Sequence, residues 1–207
     1  MISQEARDYW KQKVLIFLII LLFGIVSFWF DESVLSFVNS MRSPLLDVVM
    51  LYASEIAGIT LGIPLIILIV LVLRHEHKRK LLKAFLLGLF LDLVVVGLLK
   101  ITIKRSRPKS YDFLMKTEAF SYSFPSSHSS RAFFMFSILS KYFNYKVFFY
   151  SAAFLVAFSR IYLQVHYLSD VIFGALIGLI LSELMYWVVE KDLLCLEKII
   201  NLKSFLK

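Results

Sequence analysis

Cysteine is nearly missing from this 207-residue chain. Cys195 stands alone, which excludes an intrachain disulfide and a cysteine-based metal site. Charge is scarce too: Asp, Glu, Lys and Arg make up 18% of the residues, against about a quarter in an ordinary soluble domain. Seven glycines and four prolines are spread thinly, with no flexible linker, low-complexity stretch or internal repeat, so a single domain over 1–207 is expected. The net charge of +8 does not indicate nucleic acid, because the basic residues sit at the ends of apolar runs and in short motifs rather than on one polar face.

What the chain does have is apolar sequence: 59% hydrophobic residues and a mean hydropathy of +0.78. The length suits a compact all-α bundle of about six membrane helices at roughly 20 residues each. The expected spans are 14–30, 56–73 (with Pro64 inside it), 81–103 (carrying Asp92), 127–143, 147–163 and 168–189 (with Glu183 near its end). The fourth is weak by hydropathy because Arg131 and Lys141 bound a short apolar stretch. Arg7, Lys11 and Lys13 precede the first run as they would in a signal peptide. That run ends in bulky Phe28, Trp29 and Phe30 with no small-residue cleavage site, so an uncleaved helix is expected. Residues 31–55 read as two short amphipathic pieces broken at Ser43-Pro44, either lying in the interface over a lipid entrance or packing on the bundle.

Loop charges set an expected orientation. Arg74, Lys78, Arg79, Lys80 and Lys83 mark one connection, Lys141 and Lys146 another, and Lys191, Lys198, Lys203 and Lys207 the tail. All fall on the side of the N-terminus, so both termini are expected in the cytoplasm of a multi-pass plasma-membrane protein. The two connections facing outward break the bias with Lys100, Lys104, Arg105, Arg107, Lys109 and Arg160, and a basic cluster on that side points to a bound anion.

Three polar motifs fall in those outward connections. In Lys100-x6-Arg107-Pro108, a persisting helix would put both cations on one face, two turns apart, until Pro108 stops it. Arg suits bidentate phosphate binding and Lys adds a point charge, although basic residues at helix ends ordinarily just snorkel. In Pro125-Ser126-Ser127-His128, a proline and serines before an apolar run signal a helix start, whose free N–H groups cradle anions. There His128 is placed to protonate a leaving oxygen, or is simply a surface histidine on a capped helix. In Ser159-Arg160-x5-His166-x3-Asp170, a helix would let Asp170 reach one ring nitrogen of His166 and leave the other as a nucleophile, unless the pair is structural. Arg160 adds a further clamp. Asp92 reads as a structural partner for a basic or hydroxyl group, and Glu183 as a residue that snorkels to the inner end. Lys104, Arg105 and Lys109 read as extra positive charge or interfacial anchors, His75 and His77 as solvated, and Tyr111, Phe113, Phe120 and Tyr122 as an aromatic belt.

Taken together, the motifs resemble the signature of the type 2 phosphatidic acid phosphatase superfamily: Lys-x6-Arg-Pro, Pro-Ser-Gly-His and Ser-Arg-x5-His-x3-Asp. The resemblance covers 100–170, with Ser127 in place of the usual glycine. It implies a metal-free double displacement without cofactors. His166 would attack phosphorus to form a phosphohistidine, with Asp170 orienting it. His128 would protonate the leaving lipid oxygen and then activate water. Lys100, Arg107, Ser126, Ser127 and Arg160 would hold the phosphate oxygens.

The expected function is therefore removal of phosphate from a lipid at the extracytoplasmic face, from a polyprenyl mono- or diphosphate such as an undecaprenyl carrier, or from phosphatidylglycerophosphate or phosphatidic acid. Membrane lipid is the expected partner, and one six-helix bundle can enclose such a site as a monomer. A lipid-linked phosphotransferase using the same histidine is the near alternative. An anion or lipid transporter would explain the basic cluster, but not the two histidines with Asp170.

Overall fold

The computed structural model describes residues 4–58, 63, 64, 67, 78–108 and 122–190. Among these the secondary structure is entirely helical: α1 (Gln4–Ser27), a 3-10 turn (Phe28–Phe30), α2 (Asp31–Ser40), α3 (Pro44–Glu55), α4 (Lys78–Ile103), α5 (Ser127–Tyr142), α6 (Lys146–Tyr162) and α7 (Leu168–Glu190). The expected all-α architecture is present. The break at Ser43-Pro44 is real: Ser43 caps α3 by accepting from the Leu46 N–H, and Pro44 takes the first helical position, where its missing N–H costs nothing.

Helix α5 is the axis of the bundle. It packs against α7, α6 and α4, and every residue from His128 to Ser140 is buried. This explains its weak hydropathy, since its polar residues meet protein rather than lipid. The Ser130 hydroxyl donates to Asp92 on α4, the Ser129 hydroxyl donates to the Val171 carbonyl at 2.7 Å, and Ser137 meets Ser182 at 2.8 Å. Asp92 thus has the hydroxyl partner expected of it. Gly174 and Gly178, one turn apart on α7, let the two helix backbones approach. A Cβ at Gly178 would run into the Ser130 carbonyl and the Phe134 N–H, and one at Gly174 would lie 2.5 Å from the Ser126 carbonyl. This is the small-residue packing used by membrane helices. By contrast, α1 presents Leu15, Leu18, Leu22 and Phe23 outward and touches the bundle mainly through α7.

Among the described residues, three helical stretches are long and apolar enough to cross a membrane: Arg7–Ser40, Lys78–Ile103 and Leu168–Val189. Helices α5 and α6 have 16 and 17 residues. At 1.5 Å per residue each is roughly 25 Å long, short of a ~30 Å hydrocarbon core. Most of the expected span 56–73 lies outside the described residues, as do His75, His77, Lys109, Tyr111, Phe113, Phe120 and the tail lysines.

Glu183 departs from expectation. It is 5% exposed and ties three helices together, accepting from Lys13 at 2.7 Å, Lys141 at 2.8 Å and the Tyr9 hydroxyl at 2.8 Å. A carboxylate this deep is held by its counter-charges rather than snorkelling.

Candidate functional site

The motif residues converge where α4 ends and α5 and α7 begin. Helix α4 stops at Ile103, because Lys104 adopts a left-handed conformation with φ 54°. The helix therefore does not persist to Arg107, and Lys104 rather than Pro108 ends it. The chain from Arg105 to Pro108 then runs alongside the entry to α5: the Ser123 N–H donates to the Arg105 carbonyl at 2.8 Å and the Ser123 hydroxyl to the Ser106 carbonyl at 3.0 Å. Lys100, 2% exposed, donates its ammonium to the Tyr122 carbonyl.

The change of direction at Lys104 brings Arg107 to His166. Its guanidinium donates to the Val165 carbonyl at 3.1 Å and lies 3.3 Å from His166 Nε2. His166 is in the turn after α6, not on α7, where the Val165 and His166 N–H groups both reach back to the Arg160 carbonyl, at 3.2 and 3.3 Å. Asp170 occupies the first turn of α7. The two residues thus do not share a helix as the spacing suggested, yet His166 Nδ1 still comes within 3.5 Å of Asp170 Oδ2. That oxygen also accepts the Tyr167 N–H at 2.9 Å, so the carboxylate serves the helix start and the imidazole together.

Ser126 caps α5, accepting from the Ser129 N–H at 3.4 Å. Its own N–H donates to the Asp170 carbonyl at 3.0 Å, which locks the beginnings of α5 and α7 together. Ser127 is the first residue of α5 and His128 lies in its first turn. The charged groups acting on the His128 ring are Arg160, Arg131 and Arg107, with His166 close enough to act on it as well. Arg160 and Arg131 are both 7% exposed. Arg160 donates to the Ser54 hydroxyl on α3. Arg131 donates to the Ser127 carbonyl at 3.1 Å and approaches His128 Nδ1 at 3.5 Å.

Sequence reasoning undervalued Arg105, Asp31 and Arg131. Arg105 is no interfacial anchor. It donates to Asp170 at 2.7 Å, Ser169 at 2.6 Å and Asp31 at 2.7 Å, with its guanidinium 4.1 Å from the centre of the Tyr167 ring and 5.1 Å from that of Phe28. Asp31 also accepts the Ser169 N–H at 2.9 Å, which joins α2 to α7. Burial raises the Tyr167 phenol above its ordinary value, helped by Glu32 and opposed by Arg105. The available signal was Asp31 itself, an acid at the end of a long apolar run in a chain with an excess of cations. Arg131, read as a boundary of the fourth span, faces a site residue instead.

The arrangement offers an imidazole nitrogen beside a guanidinium, a second imidazole nearby, a carboxylate behind the first, and several cations. That is the equipment for attack on a phosphoryl group whose negative oxygens need neutralising. A family model of the PAP2 superfamily matches residues 81–193. The chain belongs to the PAP2 superfamily. It is 30% identical over 173 residues to "Phosphatidylglycerophosphatase B" of Bacillus subtilis, covering 78% of this chain and 84% of that protein. A shorter match to "Probable lipid phosphate phosphatase beta" of Arabidopsis thaliana is 47% identical over 60 residues, and spans 28% of the length of each. Among solved structures, a transmembrane PAP2-type phosphatidylglycerolphosphate phosphatase from Bacillus subtilis superposes with a TM-score of 0.67 at 26% identity, over 84% of this chain and 96% of that one. LpxE of Aquifex aeolicus superposes at 0.62 and 29% identity, over 75% of this chain and 94% of that one.

Proposed function

We propose that this PAP2 lipid phosphatase removes a phosphate from a membrane lipid phosphate, either a glycerophospholipid phosphate or a polyprenyl mono- or diphosphate. The observation that carries the reading is the meeting of His166 Nε2 and the Arg107 guanidinium at 3.3 Å, with Asp170 on the far side of the same imidazole. A phosphate bound to Arg107 presents its phosphorus to a nitrogen whose ring is already oriented.

In the first step, His166 Nε2 forms a bond to phosphorus while the bond from phosphorus to the lipid oxygen breaks. His128 gives its proton to that oxygen, and the lipid leaves as an alcohol or, from a diphosphate, as the monophosphate. In the second step, His128 takes a proton from water. The resulting oxygen displaces the histidine nitrogen and releases inorganic phosphate. Lys100, Arg107, Arg160, Ser126 and the backbone at Ser127 stabilise the charge on the phosphoryl oxygens. Arg105 and Asp31 hold Asp170 in place.

The same reading carries the topology. Six spans with cytoplasmic termini place the site at the extracytoplasmic face, supported by the cations at the start of α4 (Lys78, Arg79, Lys80 and Lys83) and at the end of α5 (Lys141). The one-domain organisation and a monomeric enzyme belong to it as well. The test is phosphate release by detergent-purified protein from polyprenyl diphosphate, polyprenyl phosphate, phosphatidylglycerophosphate and phosphatidic acid, with EDTA present and His166→Ala beside the wild type. The expected result is EDTA-resistant release that falls by several orders of magnitude in the variant. Near-normal turnover by His166→Ala would sink the mechanism.

A further inference from the structure

The far end of the bundle carries a second polar feature that the phosphatase chemistry does not use. Thirteen residues of α5 separate His128 from Lys141, about 20 Å of helix, and Glu183 lies equally far along α7 from Asp170. Around Glu183 is a cavity of about 590 Å³ whose lining includes Lys13, Lys141, Lys146, Trp10 and Trp187, with Tyr9, Tyr150 and Tyr186 also in the wall. Its volume falls in the ~300–1,000 Å³ range of ligand sites.

Three lysines against one glutamate leave a net charge of +2 at the cavity. Glu183 binds the ammonium groups of both Lys13 and Lys141. Each ammonium carries three N–H donors, so the carboxylate fixes the two cations without exhausting them. The same ammonium groups lie over aromatic rings: Lys13 Nζ is 5.4 Å from the centre of the Tyr9 ring, and Lys141 Nζ is 4.8 Å from that of Tyr186. Lys146, exposed at the start of α6, adds a third charge. Trp and Tyr side chains settle at headgroup depth in a membrane, and basic pockets between membrane helices bind anionic headgroups.

We infer that this cavity is a second, non-catalytic site for a phosphate group, carried either by an anionic phospholipid of the leaflet opposite the catalytic site or by free phosphate. It stands apart from the proposed mechanism and holds whether or not His166 is a nucleophile.

The three tryptophans allow a local readout. Trp29, 75% exposed, is removed by Trp29→Phe, leaving Trp10 and Trp187, both in the cavity wall. Full-length Trp29→Phe protein is titrated in neutral detergent with phosphatidylglycerol or phosphatidylcholine carrying brominated acyl chains, which quench nearby indole. Quenching at lower concentration by phosphatidylglycerol is expected, and it is lost in Lys13→Gln/Lys141→Gln/Glu183→Gln, which removes the charges with little change of shape. Lys146→Gln, at an exposed position that does not endanger folding, is expected to weaken the titration about five-fold. Equal quenching by the two lipids, or a phosphatidylglycerol preference unchanged in both charge variants, would overturn the site. A parallel arm adds inorganic phosphate: competition at millimolar concentration assigns the site to the free ion, and its absence assigns it to the lipid headgroup.

Discussion

Arg105 and Asp170 form a 2.7 Å ion pair in which the arginine is shared with a second acid, Asp31, also at 2.7 Å. Both carboxylates are buried, their side chains 0% and 4% exposed, so the single guanidinium is their common counter-charge. The same Asp170 carries His166 at 3.5 Å on its other oxygen. The end of α4 and the start of α2 therefore reach the candidate nucleophile through one carboxylate.

Removing that counter-charge has a specific consequence. Arg105→Ala leaves two buried acids facing each other, and breaking a buried pair from one side costs about 3–5 kcal/mol. Thermal unfolding in detergent is expected to show a large drop, with phosphate release falling as well. Adding Asp31→Asn should restore stability by removing one orphaned charge, while the rate stays low because Asp170 is still unheld. An Arg105→Ala protein as stable and active as the wild type would dismiss the arrangement.

Arg107 offers a cleaner separation of binding from folding. Its guanidinium already donates to the Val165 carbonyl while facing His166 Nε2. Lysine keeps the charge but loses the planar fork that holds a backbone oxygen and a phosphate together. Losing one hydrogen bond to a charged group costs about 1.5–3 kcal/mol, so Arg107→Lys is expected to lower kcat/KM about 10- to 100-fold. The melting temperature should barely move. Steady-state kinetics on a soluble short-chain lipid phosphate would check this, and an unchanged kcat/KM would remove Arg107 from phosphate binding.

Much of this was legible in the sequence, and the misses have physical causes. The helix starts at Pro44 and Ser127 were readable because capping is local chemistry. The meeting of His166 with Asp170 was readable as proximity but not as geometry. The turn that carries His166 is stabilised by two N–H groups reaching the Arg160 carbonyl, and nothing in a four-residue spacing separates that from a continuous helix. The expected span 81–103 ends where α4 ends, but its conditional continuation to Arg107 fails because Lys104 turns left-handed without a glycine to announce it. Arg105 and Glu183 were misread for one reason. A charged residue near a helix end looks interfacial until its partner is known, and Asp31 and Lys13 lie 74 and 170 residues away. The Gly174-x3-Gly178 spacing was a visible signal of close helix contact, and it went unused.

The link between α2 and α3 titrates in a predictable direction. Hydrogen bonds from Arg42 to Asp47, at 3.1 and 2.9 Å, are the main cause that holds the Asp47 carboxyl below its ordinary value, against a smaller opposing effect of burial. Arg42 also lies 5.9 Å from the centre of the Tyr162 ring, whose hydroxyl accepts the Ser43 N–H at 3.1 Å. A lowered folded-state pKa means that the pair's stabilisation is complete above the ordinary aspartate range and fades as pH falls through the lowered value. The pair is partly exposed, so the effect is small. Wild type should melt slightly above Asp47→Asn at neutral pH, and the gap should close on acidification. A gap that widens toward low pH would reverse the sign and refute the assignment.

Gly97 on α4 and Gly174 on α7 make opposite predictions for the same substitution. At Gly97 an added Cβ meets nothing within 4 Å, so Gly97→Ala brings only the better helix propensity of alanine, worth up to about 1 kcal/mol. At Gly174 the Cβ would lie 2.5 Å from the Ser126 carbonyl and 3.1 Å from Ser129 Cβ, and the carbonyl is backbone that cannot rotate away. Gly174→Ala must therefore push α7 from the start of α5, which stretches the Ser126 N–H bond to the Asp170 carbonyl. That displacement separates His128 from His166, so the rate should fall by more than the loss of stability alone explains. Measuring kcat well below the melting temperature isolates the effect, because nearly all of the protein is then folded. Equal behaviour of the two alanine variants would show that the contact between α5 and α7 does not set the spacing of the two histidines.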